Sequence, residues 1–267
     1  MTTLRVPGAS IFYTTQGAGP PLLIIPGGDG DADTCSALVG RLSDRFTIIA
    51  YDRRGMSRST WDASPGTVNV ATHADDVRRL LAAAAHEPAY VFGTSLGALI
   101  GLELCTTHPH LVRKLLAHEP PLPQVLAPPE RAAVIADQER IEDVFASDGL
   151  DAAMRALVAA TGIDVSDREA GVTLPRPDAQ RRRNLAYMLT VDTPAARNFR
   201  LDLSRLAAPV VVGGGATSGD GFPVRCARAL AQLLGHELVE FPGGHTGYVT
   251  HPTAFATALM RVLLTPI

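Results

Sequence analysis

Residues 90–107 constrain the fold of this chain more than any other segment. The apolar run Tyr90-Val91-Phe92 leads directly into Gly93-Thr94-Ser95-Leu96-Gly97, and a helical pattern follows that ends before Pro109. Glycines two residues before and after a serine let a strand and a helix pass closely while the serine sits on a strained turn. The segment therefore predicts a buried strand, a sharp turn and a helix, with Ser95 presented on the turn.

Short apolar runs alternate with helical patterns along much of the chain, which indicates a mostly parallel sheet covered by helices. Strand character is found in residues 11–15, 22–25, 46–50, 90–92, 112–117, 210–212 and 238–241. Helices are predicted over residues 72–85, 96–107, 222–234 and 252–264. In the first helix Leu80 and Leu81 are predicted to face inward. The outer face of this helix is predicted to carry Asp75, Asp76, Arg78 and Arg79.

Composition and charge exclude several classes of protein. The chain has 267 residues, 46% of them hydrophobic, which is enough for a substantial core. The net charge is only −3 and the longest basic run is Arg181-Arg182-Arg183, so no nucleic-acid partner is expected. Three widely spaced cysteines, Cys35, Cys105 and Cys226, predict neither a disulfide framework nor a metal site. Because no signal peptide or membrane span is evident, a reduced, cytoplasmic protein is expected, with a homodimer left open.

Strand-like runs disappear between Pro121 and Leu206. Residues 130–146 and 150–160 have helical patterns instead, and Asp148-Gly149 and Pro175-Arg176-Pro177 separate the helical stretches. We interpret residues 121–205 as a helical cap between a first core segment, 1–120, and a second core segment, 206–267. The cap is expected to roof a pocket. The predicted contacts to an apolar substrate are Phe145, Tyr187, Met188 and Leu189. Ordinary packing between the cap helices explains these apolar side chains equally well.

Eight histidines are candidates for the base that would activate Ser95. His245 follows the last predicted strand, and Gly243-Gly244 gives it a flexible approach to the serine. A neutral imidazole can take the hydroxyl proton and later pass it to a leaving group, so His245 is the predicted base. His118 is expected to be packed and hydrogen-bonded, although it could line the site, and His251 to cap the final helix. The remaining histidines are predicted in loops or on the surface: His73, His86, His108, His110 and His236.

Several motifs, taken in order, resemble the α/β-hydrolase superfamily over nearly the whole chain. They are Pro26-Gly27-Gly28, Tyr51-Asp52-Arg53-Arg54-Gly55-Met56-Ser57-Arg58-Ser59, Gly93-Thr94-Ser95-Leu96-Gly97 and Gly243-Gly244-His245. The resemblance implies a mostly parallel eight-stranded sheet flanked by helices, with the cap inserted after the sixth strand. It also implies the chain order nucleophile, acid, histidine, and ester hydrolysis through an acyl-enzyme without a cofactor or metal.

The same resemblance implies an oxyanion hole, in which two backbone N–H groups face the oxygen of a tetrahedral intermediate. One donor is expected at Leu96, the residue after the nucleophile. The other is expected in the loop that follows the 22–25 strand, where Gly28 fits by position. A plain turn glycine is the competing explanation for Gly28.

A narrower similarity joins the chain to the lactone hydrolases that open the macrocycle of zearalenone. It rests on Gly55-Met56-Ser57-Arg58-Ser59, His118-Glu119-Pro120, Gly214-Gly215-Ala216-Thr217 and His245-x-x-Tyr248-Val249. This similarity implies a small apolar ester or lactone as substrate. A cofactor-free haloperoxidase or perhydrolase and a small-molecule receptor on the same fold stay open as alternatives.

Two carboxylates are candidates for the acid that would orient His245. Most of the superfamily carries an Asp after the penultimate strand, but that position falls near Thr217 or Ser218, where no carboxylate stands. Asp220 lies just beyond it. Glu119 ends the strand after the nucleophile helix, a position used by a minority of the superfamily that includes the zearalenone hydrolases, and its longer side chain suits an approach from there. Glu119 is the preferred acid and Asp220 the alternative.

Overall fold

The computed structural model describes residues 2–62, 68–174 and 178–265, so that Pro175-Arg176-Pro177 lies outside the described residues. The strands are β1 (Thr2–Val6), β2 (Ala9–Gln16), β3 (Pro21–Ile25), β4 (Thr47–Tyr51), β5 (Thr60–Trp61), β6 (Ala89–Thr94), β7 (Val112–His118), β8 (Val210–Gly215) and β9 (Val239–Phe241). The α-helices are α1 (Ser36–Leu42), α2 (Val70–Ala84), α3 (Leu96–Thr107), α4 (Pro128–Asp148), α5 (Leu150–Thr161), α6 (Ala179–Tyr187), α7 (Thr193–Asn198), α8 (Phe222–Leu233), α9 (Gly247–Thr250) and α10 (Pro252–Leu264). A π-helix, Met188–Asp192, joins α6 to α7.

The strands form one sheet in the order β1-β2-β4-β3-β6-β7-β8-β9, and the two-residue β5 pairs with β2 outside this path. β2 is antiparallel to β1, β4 and β5, whereas every pairing from β4 to β9 is parallel. The predicted mostly parallel sheet of eight strands is confirmed, with β5 as a short addition. The sequence patterns missed β1 because Val6 is its one buried residue, so the strand has no apolar run.

The central strand β3 is apolar throughout because helices cover both faces of the sheet. All five residues of β3 are buried. Leu23 and Ile25 pack into the apolar cluster shared with α2 and α3, whereas Leu22 and Ile24 pack against α1 and α10 on the opposite face. Successive side chains of a strand point to opposite faces, so a strand covered on both sides reads as a continuous apolar run.

The carboxyl ends of β3, β6, β7 and β8 meet at one edge of the sheet, since these neighbouring strands are parallel. Helices α4 to α7 lie in the chain between β7 and β8, after the sixth of the eight principal strands, and the described part of residues 121–205 contains no strand. The inserted helical cap is therefore found where it was expected. The division into core segments 1–120 and 206–267 and a cap of 121–205 stays a prediction about folding units.

Helix α2 corrects two predictions. His73, predicted in a loop or on the surface, and Asp76, predicted on the outer face, are each only 2% exposed. Asp76 accepts a hydrogen bond from Nε of Arg54 at 2.6 Å, and Nε2 of His73 lies 3.2 Å from Oδ1 of Asp192. Polar residues at helical spacing mark a solvent-exposed face only when they have no buried polar partner. Asp76 and His73 have such partners, Arg54 and Asp192, which lie outside this helix.

Within the described residues no helix is long and apolar enough to cross a membrane. Cys35, Cys105 and Cys226 are buried free thiols. The cytoplasmic location and the homodimer stay predictions.

Candidate active site

Ser95 sits on the tight turn between β6 and α3. Its backbone has a φ of +53° and a ψ of −122°, a conformation that side-chain-bearing residues rarely adopt. The turn is held by a hydrogen bond from the N–H of Ser95 to the carbonyl of His118 at 2.9 Å. A Cβ on Gly93 would lie 2.3 Å from the Gly97 oxygen, and a Cβ on Gly97 would lie 2.1 Å from the Ile25 oxygen. Glycine at both positions is therefore a steric requirement of this crossing.

His245 and Glu119 form a buried pair beside this turn. Nδ1 of His245 lies 2.6 Å from Oε2 of Glu119, and the two residues are 6% and 0% exposed. The other carboxylate oxygen of Glu119 accepts hydrogen bonds from the Gly215 N–H, at 2.7 Å, and from the Ser218 hydroxyl. The bond from Gly215 joins neighbouring strands, because Glu119 follows β7 and Gly215 ends β8, whereas His245 comes after β9, one strand further along the sheet. With Nδ1 engaged, Nε2 is the ring nitrogen left for proton exchange.

The electrostatics of Glu119 favour its ionised form. Burial raises the pKa of this carboxyl, but the hydrogen bond and charge of His245, with further help from the Ser218 hydroxyl, lower the pKa to about 2. Glu119 is therefore a carboxylate at neutral pH, able to hold one imidazole tautomer and to stabilise the protonated ring.

The alternative acid lies elsewhere. Asp220 is 89% exposed, and its nearest charged partner is Arg228 at 3.6 Å. Ser218, which stands at the empty acid position, is instead 1% exposed and donates to Glu119. Sequence reasoning noted that this position lacks a carboxylate but missed its use as a hydrogen-bond donor to the carboxylate of the neighbouring strand.

A cavity of about 460 Å³ lies between this edge of the sheet and the cap. Gly28, Ser95, Leu96 and His245 share its wall. The cap contributes a mainly apolar surface that includes Ile141, Leu150, Met154, Leu157, Val158, Leu185 and Met188. A volume of this size suits a small organic molecule enclosed on most sides.

Of the four cap side chains predicted to meet a substrate, Met188 lines the cavity and the other three do not. Phe145, Tyr187 and Leu189 pack in an apolar cluster inside the cap, where Leu189 is 1% exposed and the Tyr187 ring lies 5.8 Å from that of Trp61. This corrects the prediction for those three residues. The apolar composition of the cap does not show which helix face meets the cavity, and the π-helix further changes the angular positions of the side chains from Met188 onward.

The loop after β3 is held by Arg53, a fully buried arginine. Nη2 of Arg53 donates to the carbonyls of Gly27 and Gly28 at 2.9 and 3.0 Å, and Nη1 donates to Asp192 at 2.6 Å. In a trans peptide the N–H points opposite to the preceding C=O, so the Gly28 N–H points away from Arg53. This N–H makes no hydrogen bond to any described residue, and Gly28 lines the same cavity as Ser95.

The Arg53 network joins the loop after β3 to the cap. Asp192, which ends the π-helix, accepts from Arg53 and also faces His73. Asn184 of α6 donates to the Asp29 carbonyl at 2.9 Å, and Arg181 of α6 lies 3.2 Å from the Asp29 carboxylate. The sequence shows no local signal for this network, although Arg53 stands in the middle of the Tyr51-Asp52-Arg53-Arg54-Gly55 motif.

His118 lies next to Glu119, but its imidazole ring makes no hydrogen bond to a described residue. It is completely buried, and neither ring nitrogen has a partner among the described residues. Its ring packs edge-on against Phe241 and Phe255, with centroids 5.8 and 5.4 Å away. The predicted packing is found, whereas the predicted hydrogen bond is not. Burial lowers the pKa of His118 to about 4, partly opposed by the Glu119 charge.

We expect His118→Phe to reduce the loss of stability in mild acid. The unfolded chain protonates this imidazole near pH 6.5 and the folded chain near pH 4, so the unfolded state binds more protons between these values. The contribution of His118 to stability is full above about pH 6.5 and is lost as the pH falls toward about 4. Urea unfolding at about pH 7.5 and about pH 4.5 should give a free-energy difference about 2 kcal/mol smaller in the variant.

The exposed His86 supplies the control, since His86→Gln should leave that difference unchanged. Equal pH dependence of His118→Phe and the original protein would contradict the burial argument.

The described residues include no group of three or more His, Cys, Asp or Glu side chains arranged to hold a metal ion. The side chains and backbone groups that the site brings together are a serine hydroxyl, an imidazole, a carboxylate and backbone N–H donors.

Comparison with known proteins agrees with this geometry. A family model described as the alpha/beta hydrolase fold matches residues 20–252. The chain is 36% identical to the uncharacterized hydrolase YraK of Bacillus subtilis, over 98% of this chain and 95% of that protein. It is 29% identical to the zearalenone hydrolase of Cladophialophora bantiana, over 96% of this chain and 93% of that protein, which confirms the narrower similarity.

Solved structures show the same fold. Est816, described as an N-acyl homoserine lactone degrading enzyme, matches with a TM-score of 0.76 and 22% identity over 97% of this chain and 99% of that chain. The enol-lactonase of Burkholderia xenovorans matches with a TM-score of 0.75 and 18% identity over 99% of this chain and 100% of that chain. With a family model that matches most of its length and named hydrolases among its relatives, the chain belongs to the alpha/beta hydrolase family and is an enzyme of that family.

Proposed function

We propose that this enzyme hydrolyses a small apolar carboxylic ester or lactone through an acyl-enzyme intermediate. In this proposal Ser95 is the nucleophile, His245 carries the proton and Glu119 orients and stabilises the imidazole. The observation that supports it most is the 2.6 Å contact between Nδ1 of His245 and Oε2 of Glu119, beside a cavity whose wall also includes Ser95.

The reaction would run in two halves. The Ser95 hydroxyl attacks the ester carbonyl while Nε2 of His245 takes its proton, and a tetrahedral oxyanion forms. The N–H groups of Leu96 and Gly28 stabilise this oxyanion, together with the positive end of α3. The intermediate collapses as His245 returns its proton to the leaving alcohol, which in a lactone stays tethered to the acyl chain. Water, deprotonated by His245, then attacks the acyl-enzyme and releases the carboxylic acid and Ser95.

The substrate class rests on the wall of the cavity and on the relatives. The cap side of the wall is mainly apolar, which favours the body of a hydrophobic ester over a charged one. The relative from Cladophialophora bantiana is named as a zearalenone hydrolase, and zearalenone is a macrocyclic lactone. We further infer that residues 121–205 act as a cap that encloses the body of the substrate beside Ser95.

A serine-directed fluorophosphonate tests the proposal directly. We expect it to modify Ser95 stoichiometrically, as read by mass spectrometry of the labelled peptide, and to abolish turnover of a panel of activated esters and lactones. Ser95→Ala serves as the matched control and should neither be labelled nor turn over the panel. A protein that is folded but neither labelled nor active would favour the receptor alternative, and peracid formation that exceeds ester turnover would favour the perhydrolase alternative.

A further inference from the structure

Gln138 is a buried amide in an otherwise apolar part of the cavity wall. The residue is 4% exposed, and its Oε1 has no hydrogen-bond partner among the described residues. It nevertheless lines the cavity that Ser95 and His245 share. Buried amide oxygens are nearly always hydrogen-bonded in folded proteins, so an unpartnered one that borders a cavity needs an explanation.

Gln138 lies in the buried stripe of helix α4, where an apolar side chain is expected. The buried residues of α4 are Val134, Gln138 and Ile141, which are spaced by four and three residues and therefore form one stripe. Val134 packs in an apolar cluster with Phe222, and Ile141 packs in a second apolar cluster with Met188. A leucine or methionine at position 138 would continue this stripe. The amide interrupts the stripe where it borders the cavity, next to Ile141, which lines the cavity too.

Other polar side chains of the same wall already have partners within the protein. Asp192 is bound by Arg53, Asp29 accepts from the Thr34 hydroxyl at 2.7 Å, and the Thr161 hydroxyl donates to the Leu157 carbonyl at 2.8 Å. Gln138 differs from them because its amide oxygen has no partner among the described residues although the residue borders the cavity.

We propose that Gln138 hydrogen-bonds a hydroxyl or ketone oxygen on the body of the substrate, away from the carbonyl that Ser95 attacks. This inference rests on the proposed function and adds a substrate class, namely neutral esters or lactones that carry a second oxygen group. A primary amide both donates and accepts, so it can pair with either group. An ionised group is disfavoured, because a charge in this cavity needs an opposite charge and the two arginines of the wall, Arg181 and Arg182, are already paired with Asp29 and Asp151. The cavity volume of about 460 Å³ accommodates a molecule that reaches both residues.

The test compares Gln138→Met with the original enzyme on matched esters. Three p-nitrophenyl esters have the same leaving group and acyl chains of equal length, with a terminal methyl, hydroxyl or ketone. We expect Gln138→Met to lower kcat/KM about 10- to 100-fold for the hydroxyl or ketone ester and to leave the methyl ester unchanged or faster. Gln232→Met, at an exposed position of α8, is the matched control and should change none of the three.

A binding measurement separates this inference from the proposed reaction. Calorimetry with 2-naphthol, 2-acetylnaphthalene and 2-methylnaphthalene needs no turnover. The original enzyme should bind the hydroxyl or the ketone ligand about tenfold more tightly than the methyl ligand, and Gln138→Met should lose that preference. If the preference is present but no ester is hydrolysed, the proposed reaction is overturned and the role of Gln138 stands. If Gln138→Met leaves all three binding ratios unchanged, the role of Gln138 is overturned whatever the enzyme hydrolyses.

Stability provides the last check. Replacing a buried amide that has no partner in the protein by an apolar side chain of similar size should leave the melting temperature unchanged or raise it. A large decrease in the melting temperature would mean that the amide has a structural partner, and the inference would then be wrong.

Discussion

Glu119→Gln is expected to lower kcat by about 10⁴-fold, which is the size of the loss when the carboxylate of another serine triad is replaced by an amide. The reason lies in the two donors on the far side of the carboxylate. Gly215 N–H and the Ser218 hydroxyl both point at Oε1, so the amide oxygen of a glutamine will take that position. Its NH₂ group then faces Nδ1 of His245, which must accept rather than donate. The ring proton moves to Nε2, and the imidazole can no longer take the proton of Ser95.

Steady-state kinetics on an activated ester would measure this effect, with kcat and kcat/KM falling together because the interaction matters most in the transition state. Asp220→Asn is the matched control, since Asp220 is exposed and far from any contact with His245 in the described structure. An unchanged rate for Glu119→Gln together with a large loss for Asp220→Asn would reverse the assignment of the acid.

Asp192→Asn is expected to lower the free energy of unfolding by about 3–5 kcal/mol. Asp192 and Arg53 are 1% and 0% exposed, and Nη1 of Arg53 donates a hydrogen bond to Oδ2 of Asp192 at 2.6 Å. Burial raises the pKa of Asp192, but the charges and hydrogen bonds of Arg53 and His73 hold it below its ordinary value, so the pair is ionic. Neutralising one partner leaves the Arg53 guanidinium buried without a counter-charge, which is the costly part of the change.

Urea unfolding would measure this loss. Asp137→Asn provides the control, because Asp137 forms an exposed pair with Arg140 on α4 and should change stability by less than about 0.5 kcal/mol. The double variant Arg53→Met, Asp192→Leu should recover much of the stability, because an apolar pair can replace a buried ionic one. The double variant should nevertheless have a kcat about 10²-fold lower, since the Gly27 and Gly28 carbonyls lose the donor that orients the loop.

For the single variant Asp192→Asn, a decrease in the free energy of unfolding below about 1 kcal/mol would contradict the buried-pair argument.

The two predictions depend on features that differ in how far they could be foreseen. Glu119 stood out in the sequence as a carboxylate at the end of a strand, although Asp220 remained an alternative. Its selection depends on the neighbouring places of β7 and β8, which bring Glu119 next to Gly215 and Ser218 across 96 and 99 residues of chain. No local pattern encodes that adjacency, because strand order is decided by packing of the whole sheet.

The Arg53 network could be predicted from the sequence even less than the Glu119 contacts. Asp192 lies 139 residues from Arg53 and 119 residues from His73. Each residue taken alone reads as an ordinary polar residue on a helix or in a loop. Burial of the three together is favourable only because they neutralise and hydrogen-bond one another, and that condition exists only once the cap lies on the core.

The Ser95 turn and the two helices α3 and α10 could be read from the sequence to the residue, because glycine sterics and proline boundaries act between near neighbours. The alternation of apolar strands and helices likewise determined a parallel sheet covered on both faces. Only the tertiary structure decided that Glu119 faces His245, that Met188 rather than Phe145, Tyr187 or Leu189 lines the cavity, and that Gln138 borders it with an amide oxygen that has no partner among the described residues. Those outcomes depend on contacts between residues far apart in the chain, whose energies no local pattern contains.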